Sequence, residues 1–253
     1  MIKNIFKSVI GIIKTKPTLL WGLTLLYAVI GTVITTLGAG VPIVVIPVLG
    51  VLEVGMAHIL LTAYNGGTVK TEQLFEGFKK DRVLKIAGGM SWEYLWEIIW
   101  LFVPVMNVIK SYEYRFTKYI LLDNEDVSAL DALKVSMKQT YGYKGLMFLA
   151  DVIICLAVIV EMLVFTALMF IPYIGILFGI ISFFVQLGVI LLLPMVLGLV
   201  EAAFYQESKN GTKNVDVNHT PVAIDEPDWE CAECHTINAG GTKYCRACGR
   251  EKE

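Results

Sequence analysis

Residues 41–64 read VPIVVIPVLGVLEVGMAHILLTAY, a stretch whose one formal charge, Glu53, sits near its middle. A helix crosses ~30 Å of hydrocarbon with about 20 apolar residues. The stretch is therefore long enough to span a bilayer if Pro42 and Pro47 bend it near its start. Residues 18–37, 145–170 and 174–200 qualify as well, and 86–103 qualifies by length although it carries Glu93 and Glu97. The whole chain has 253 residues, 56% hydrophobic and 17% charged, with a mean hydropathy of +0.64. An ordinary soluble domain carries roughly 25% charge and 45–50% apolar residues, so the composition argues against one. Residues 17–64 hold only Glu53 among charged side chains, and 145–205 hold only Asp151, Glu161 and Glu201. The tail from 206 holds six Lys/Arg and nine Asp/Glu, so the net charge of −2 averages a greasy body and a wet tail. The pattern predicts an all-α polytopic membrane protein, residues 17–205, with a small polar tail.

Basic residues select the topology. Lys3, Lys7, Lys14 and Lys16 precede the first span, Lys70, Lys79, Lys80, Arg82 and Lys85 follow the second, and Lys134, Lys138 and Lys144 lie in 123–144. Three charge-free, Pro-containing breaks lie between them, at 37–42, 103–107 and 170–173. Placing every basic stretch in the cytoplasm gives three helical hairpins, six crossings of the plasma membrane, and both termini cytoplasmic. The sixth candidate, 108–122, is short and carries Lys110, Glu113, Arg115 and Lys118. Without it, five crossings put the termini on opposite sides. Folding the middle hairpin about 105–106 sets Glu93 opposite Lys118 and Glu97 opposite Arg115, while Glu53 and Glu161 lie near mid-membrane without a local partner. Intramembrane charges usually face the bundle interior and pair. Glu53, Glu93, Glu97, Arg115, Lys118 and Glu161 are therefore the candidate polar network, read either as structural ion pairs or as the lining of an ion path.

The ends and loops have their own signatures. In residues 1–16, Ile2, Ile5, Phe6, Val9, Ile12 and Ile13 recur at helical spacing with lysines on another face. This is a basic amphipathic helix able to lie on an anionic leaflet of the lipid bilayer. Ser128-Ala-Leu-Asp131 resembles a capping box and opens a surface helix through Thr140. Trp92, Trp96 and Trp100 recur every four residues, as a packing or lipid-facing stripe does. Residues 206–228 are polar and aperiodic and predict a flexible linker.

The strong chemical motif is in the tail, residues 229–250, where Cys231-x-x-Cys234 and Cys245-x-x-Cys248 frame ten residues. Each knuckle presents two thiolates to one side of a tetrahedral zinc ion. In a reducing cytoplasm these four are the expected ligands of one structural zinc, rather than two disulfides or a redox pair. Four sulfurs leave no open position for a catalytic water.

Trp229, the four cysteines and Asn238 together look like the Ran-binding-protein-2-type zinc finger, and more broadly a zinc ribbon, over residues 229–249. Members of that family that read single-stranded RNA use an aromatic residue and arginines after the Asn. Here Ala239-Gly240-Gly241 stand there, so a protein contact is the better implied role. Residues 45–207 resemble the bacterial integral-membrane domain-of-unknown-function family 975. The resemblance rests on Leu74-Phe-Glu-Gly-Phe78, on residues 119–133, on Pro194, and on Ala202-Ala-Phe-Tyr205. It implies a bacterial plasma-membrane protein of Gram-positive type and no particular activity.

Two functions follow as expectations. The first is a non-enzymatic membrane adaptor or scaffold that presents the zinc ribbon to a cytoplasmic protein partner on a flexible leash. The alternative is a transporter or channel for a small solute or cation that uses the intramembrane carboxylates. An enzyme is not expected, because no Ser/His/Asp set, phosphate-binding Gly loop or open metal site is visible. Nucleic-acid binding is unlikely from a tail whose acids outnumber its bases.

Overall fold

Proline opens three of the helices, Pro17, Pro42 and Pro104, where its missing N–H is no loss and its fixed φ suits the first turn. The computed structural model describes residues 1–15, 17–79, 82–124, 127–171, 173–214, 229–230, 232 and 237–238. Its helices run α1 Ile2–Thr15, α2 Pro17–Leu37, α3 Pro42–Tyr64, a 3-10 helix Thr71–Phe78, α4 Val83–Trp100, α5 Pro104–Tyr114, α6 Thr117–Asp123, α7 Ala129–Gln139, α8 Lys144–Met169 and α9 Gly175–Asn214. Two short strands follow, β1 Trp229–Glu230 and β2 Ile237–Asn238, paired antiparallel with Trp229 opposite Asn238. The chain divides into two compact units, Met1–Lys209 and Asn210–Glu253.

Among the described residues, four helical stretches are long and apolar enough to cross a membrane: Thr18–Leu37, Pro42–Tyr64, Lys144–Met169 and Gly175–Asn210. They are compatible with a multi-pass membrane protein. The expected middle hairpin takes a different form. Residues 108–122 are not one helix, because the chain turns at Arg115–Phe116 and divides into α5 and α6. The turn is held from α7. The Phe116 N–H donates to Ser136 Oγ at 3.1 Å, and the Ser136 hydroxyl donates to the Glu113 carbonyl at 2.7 Å. Ser136 is fully buried while Leu130, Asp131, Lys134 and Lys138 are exposed, so the helix 129–139 is the expected surface helix, docked on the body through one face. Its start is as expected. The Asp131 N–H donates to Ser128 Oγ at 3.2 Å, a cap worth about 1 kcal/mol.

Helix α3 is the centre of the core, packing on the 3-10 helix, α4, α2, α6 and α1. Gly55 makes the closest of these approaches possible, since a Cβ there would lie 2.0 Å from the Leu74 carbonyl oxygen. Gly89 on α4 does the same for α6, where a Cβ would meet Leu121 Cδ1 at 2.6 Å. The amphipathic reading of α1 holds: Ile5 and Val9 are buried and Lys3, Lys7 and Lys14 are exposed. On α8 and α9 large apolar side chains such as Val160, Leu163, Phe184 and Ile190 are exposed, the expected condition of a lipid-facing surface. Of the stretch 206–228 expected as a linker, residues 206–214 are helical, because α9 continues to Asn214, and 215–228 lie outside the described residues. Local bonds hold the extension: Lys209 Nζ lies 2.6 Å from Asp123 Oδ2, and Asn65 donates to Gln206 Oε1 at 3.4 Å.

Candidate functional site

Six helices and the turn at Arg115 converge on an open cavity of about 390 Å³. Helix α3 contributes Glu53, α4 contributes Glu93 and Glu97, and α6 contributes Lys118. Asp151 comes from α8, Glu201 from α9, and Ser111 and Tyr112 from α5. The acids Glu93 and Glu97 share a wall because residues four apart lie one above the other on a helix. Glu53 and Glu201 sit on different helices and meet only through tertiary packing.

A continuous polar chain runs along the cavity. Arg115 Nη1 lies 2.7 Å from Asp151 Oδ2 and its Nε lies 3.4 Å from Glu201 Oε2. Lys118 Nζ lies 2.7 Å from Glu201 Oε1 and 3.0 Å from Glu53 Oε1. Tyr94 donates to Glu53 Oε2, and Tyr112 donates to Asp151 Oδ2 at 2.8 Å. Glu93 stands apart from this chain. It is only 7% exposed, and its Oε2 is buried with no hydrogen-bond partner among the described residues. A buried, unpaired carboxylate oxygen is costly, so it marks a place where a proton or a cation would be stabilised.

Five of the six residues expected from sequence therefore line one cavity. The expected pairs are not the ones formed. Lys118 bonds Glu53 and Glu201 instead of Glu93, and Arg115 bonds Asp151 and Glu201 instead of Glu97. The break at Arg115–Phe116 is the reason, since the antiparallel register assumed one continuous helix. Glu161 is elsewhere, accepting from Gln186 Nε2 at 2.8 and 3.1 Å. Sequence reasoning left out Asp151 and Glu201. The available signal was their isolation in the nearly charge-free stretch 145–205, the property that singled out Glu53 and Glu161.

A second cavity of about 190 Å³ adjoins the same charges. It shares Glu53, Lys118 and Glu201 with the first, but its other walls are mainly apolar, among them Met56, Ala57, Leu60 and Leu197. On the 3-10 helix, outside the spans, Glu76 Oε2 lies 2.7 Å from His58 Nδ1 of α3. Burial pushes the Glu76 carboxyl up, but the hydrogen bond from Lys79 and the nearby charges of His58, Lys79 and Arg82 outweigh it and hold the group below its ordinary value.

Among the described residues no group of three or more His, Cys, Asp or Glu side chains is arranged to hold a metal ion. The expected zinc ligands Cys231, Cys234, Cys245 and Cys248 lie outside the described residues. The strands β1 and β2 flank the first cysteine pair in sequence. In the core, Tyr119 stacks on Tyr205 with ring centroids 4.7 Å apart and the Tyr205 hydroxyl donates to Asp123 Oδ2 at 2.7 Å. Comparison with family models, with curated proteins and with solved structures gives no match to this chain.

Proposed function

We propose that this is a multi-pass plasma-membrane protein, of bacterial type and without enzymatic activity, that admits a small cation or a proton to the cavity between α3, α4, α6, α8 and α9. The observation that carries the reading is the imbalance of the lining, five carboxylates against Arg115 and Lys118, with Glu93 Oε2 left unpartnered among the described residues. Intramembrane acids on a shared cavity are the usual furniture of ion and proton paths. Four spans, like six, return the chain to the side on which it began, which agrees with both termini in the cytoplasm. The test uses the full chain in proteoliposomes, following K⁺, Na⁺, protons and labelled methylammonium, against the double variant Glu93→Gln/Glu97→Gln. The expected result is flux above protein-free vesicles that falls at least tenfold in the variant. Flux no greater than in protein-free vesicles for every cation, or flux unchanged by the double variant, refutes the proposal.

The tail supports a second role. The spacing of Cys231, Cys234, Cys245 and Cys248 suits one zinc ion, and β1 and β2, which flank the first cysteine pair in sequence, are paired antiparallel. In this reading the ribbon is a docking module for a cytoplasmic protein, and the membrane body is its anchor.

A further inference from the structure

The Lys118 ammonium sits where the polar cavity and the apolar-walled cavity meet. It is held by Glu53 and Glu201 at 3.0 and 2.7 Å, lies 5.7 Å from the centroid of the Tyr119 ring, and is 17% exposed. These contacts are the recognition set for a primary ammonium: two carboxylates and an aromatic face. A metal ion would need oxygens converging on one point, and among the described residues no such cluster is present despite the five acids. The space beyond the ammonium position, about 190 Å³, is walled by Met56, Ala57, Leu60 and Leu197 and suits a short alkyl chain rather than a hydrated ion. On the other side, the Glu93 carboxylate has an oxygen without a partner among the described residues and faces the cavity that Lys118 also lines.

Resting on the cation reading above, we propose that the cavity takes small primary alkylammonium compounds, and that Lys118 is a tethered stand-in for the ligand's head group. The ligand ammonium binds between Glu53 and Glu201 with its chain in the apolar cavity, and Lys118 swings toward Glu93 and Glu97. The Glu53/Glu201 position exchanges one cation for another and the Glu93/Glu97 position gains one, so neither pair of carboxylates is left without a cation. Lys118 is a competitor in this scheme, and removing it favours the ligand.

The experiment is calorimetric titration of the full chain in detergent with ammonium, methylammonium, n-propylammonium and n-pentylammonium chlorides. Each methylene buried tightens binding about fourfold until the cavity is full. Affinity therefore rises along the series, and Lys118→Met binds n-propylammonium roughly tenfold more tightly than the native chain. Ala57→Phe fills the apolar cavity and flattens the series while leaving the response to ammonium itself. The series on the native chain decides the matter even where a variant fails to fold. Equal affinity for ammonium and n-pentylammonium overturns the proposal and leaves a chain-independent cation site. The absence of binding by every member overturns it too, and together with absent flux removes the cation reading as well.

Discussion

Lys118→Met tests whether the polar chain is an energetic unit. At ~3 Å and an effective dielectric of about 20, a unit ion pair is worth about 5–6 kcal/mol before desolvation. Lys118 makes two such contacts, at 2.7 and 3.0 Å, with its side chain 17% exposed. Taking the ions out of water costs several kcal/mol each, so much of the gross attraction is offset. Truncating one partner, however, leaves buried Glu201 and half-buried Glu53 without their shared cation, and for a fully buried pair that is a loss of about 3–5 kcal/mol. Glu201 retains Arg115 at 3.4 Å, which places the expected loss toward the lower end. The assay is reversible unfolding of the full chain in mixed micelles, run as two double-mutant cycles. Lys118→Met with Glu201→Gln is expected to show an interaction energy of about 1–3 kcal/mol, as groups in one network do. Lys118→Met with Glu161→Gln is expected to be additive within about 0.5 kcal/mol, because Glu161 is held by Gln186 and does not line the cavity. Additivity in the first cycle, or equal coupling in the second, refutes the network.

Gly55→Val will destabilise the fold by at least about 1–3 kcal/mol, because even the first added carbon would lie 2.0 Å from the Leu74 carbonyl oxygen. Hydrogen exchange of amides 71–78 should rise more than that of α9, and an even rise along the chain argues against the docking contact. Glu76 is held below its ordinary value, so its contribution is present above the unfolded carboxyl range and is lost as pH falls through the lowered native value. Protection of amides 71–78 should therefore weaken on acidification, and less so in Glu76→Gln, whose protection at neutral pH starts lower. Zinc bound to the purified chain should measure one ion per chain and fall on chelation or in Cys231→Ser/Cys234→Ser, with the helical signal of the body unchanged. A ratio near zero in the native chain would remove the structural-zinc reading.

The four long apolar helices were legible because hydrocarbon thickness imposes a length and a composition that few other constraints mimic. Local signals were equally readable. The stripe of Ile5 and Val9, the prolines at 42 and 104, and Ser128 before Asp131 all act over a few residues. The polar cavity was legible as a set of residues but not as a set of bonds. An acid in an apolar run signals that it must find a partner, which is why Glu53 stood out, yet it does not say which helix supplies one. Lys118 reaches Glu53 across 65 residues and Arg115 reaches Glu201 across 86, separations at which only the packing of α3, α6 and α9 decides the neighbour. The break at Arg115–Phe116 was hidden for a related reason. No glycine or proline marks it, and the groups that hold it are on α7, at Ser136.

That break also sets an order of events in biogenesis. A buried polypeptide turn is stable only when its peptide groups are bonded by something else. Here the supplier, Ser136 with Thr140 behind it on the Glu113 carbonyl, is made after the turn it serves. A ribosome adding 5–20 residues per second reaches Thr140 roughly one to five seconds after Phe116. Throughout that interval α5 and α6 lack their lock, so the central segment reaches its final packing only once α7 has been made. Changes placed in residues 129–140, including a charge added at Ser136, would thus act on the yield of folded protein before they act on its activity.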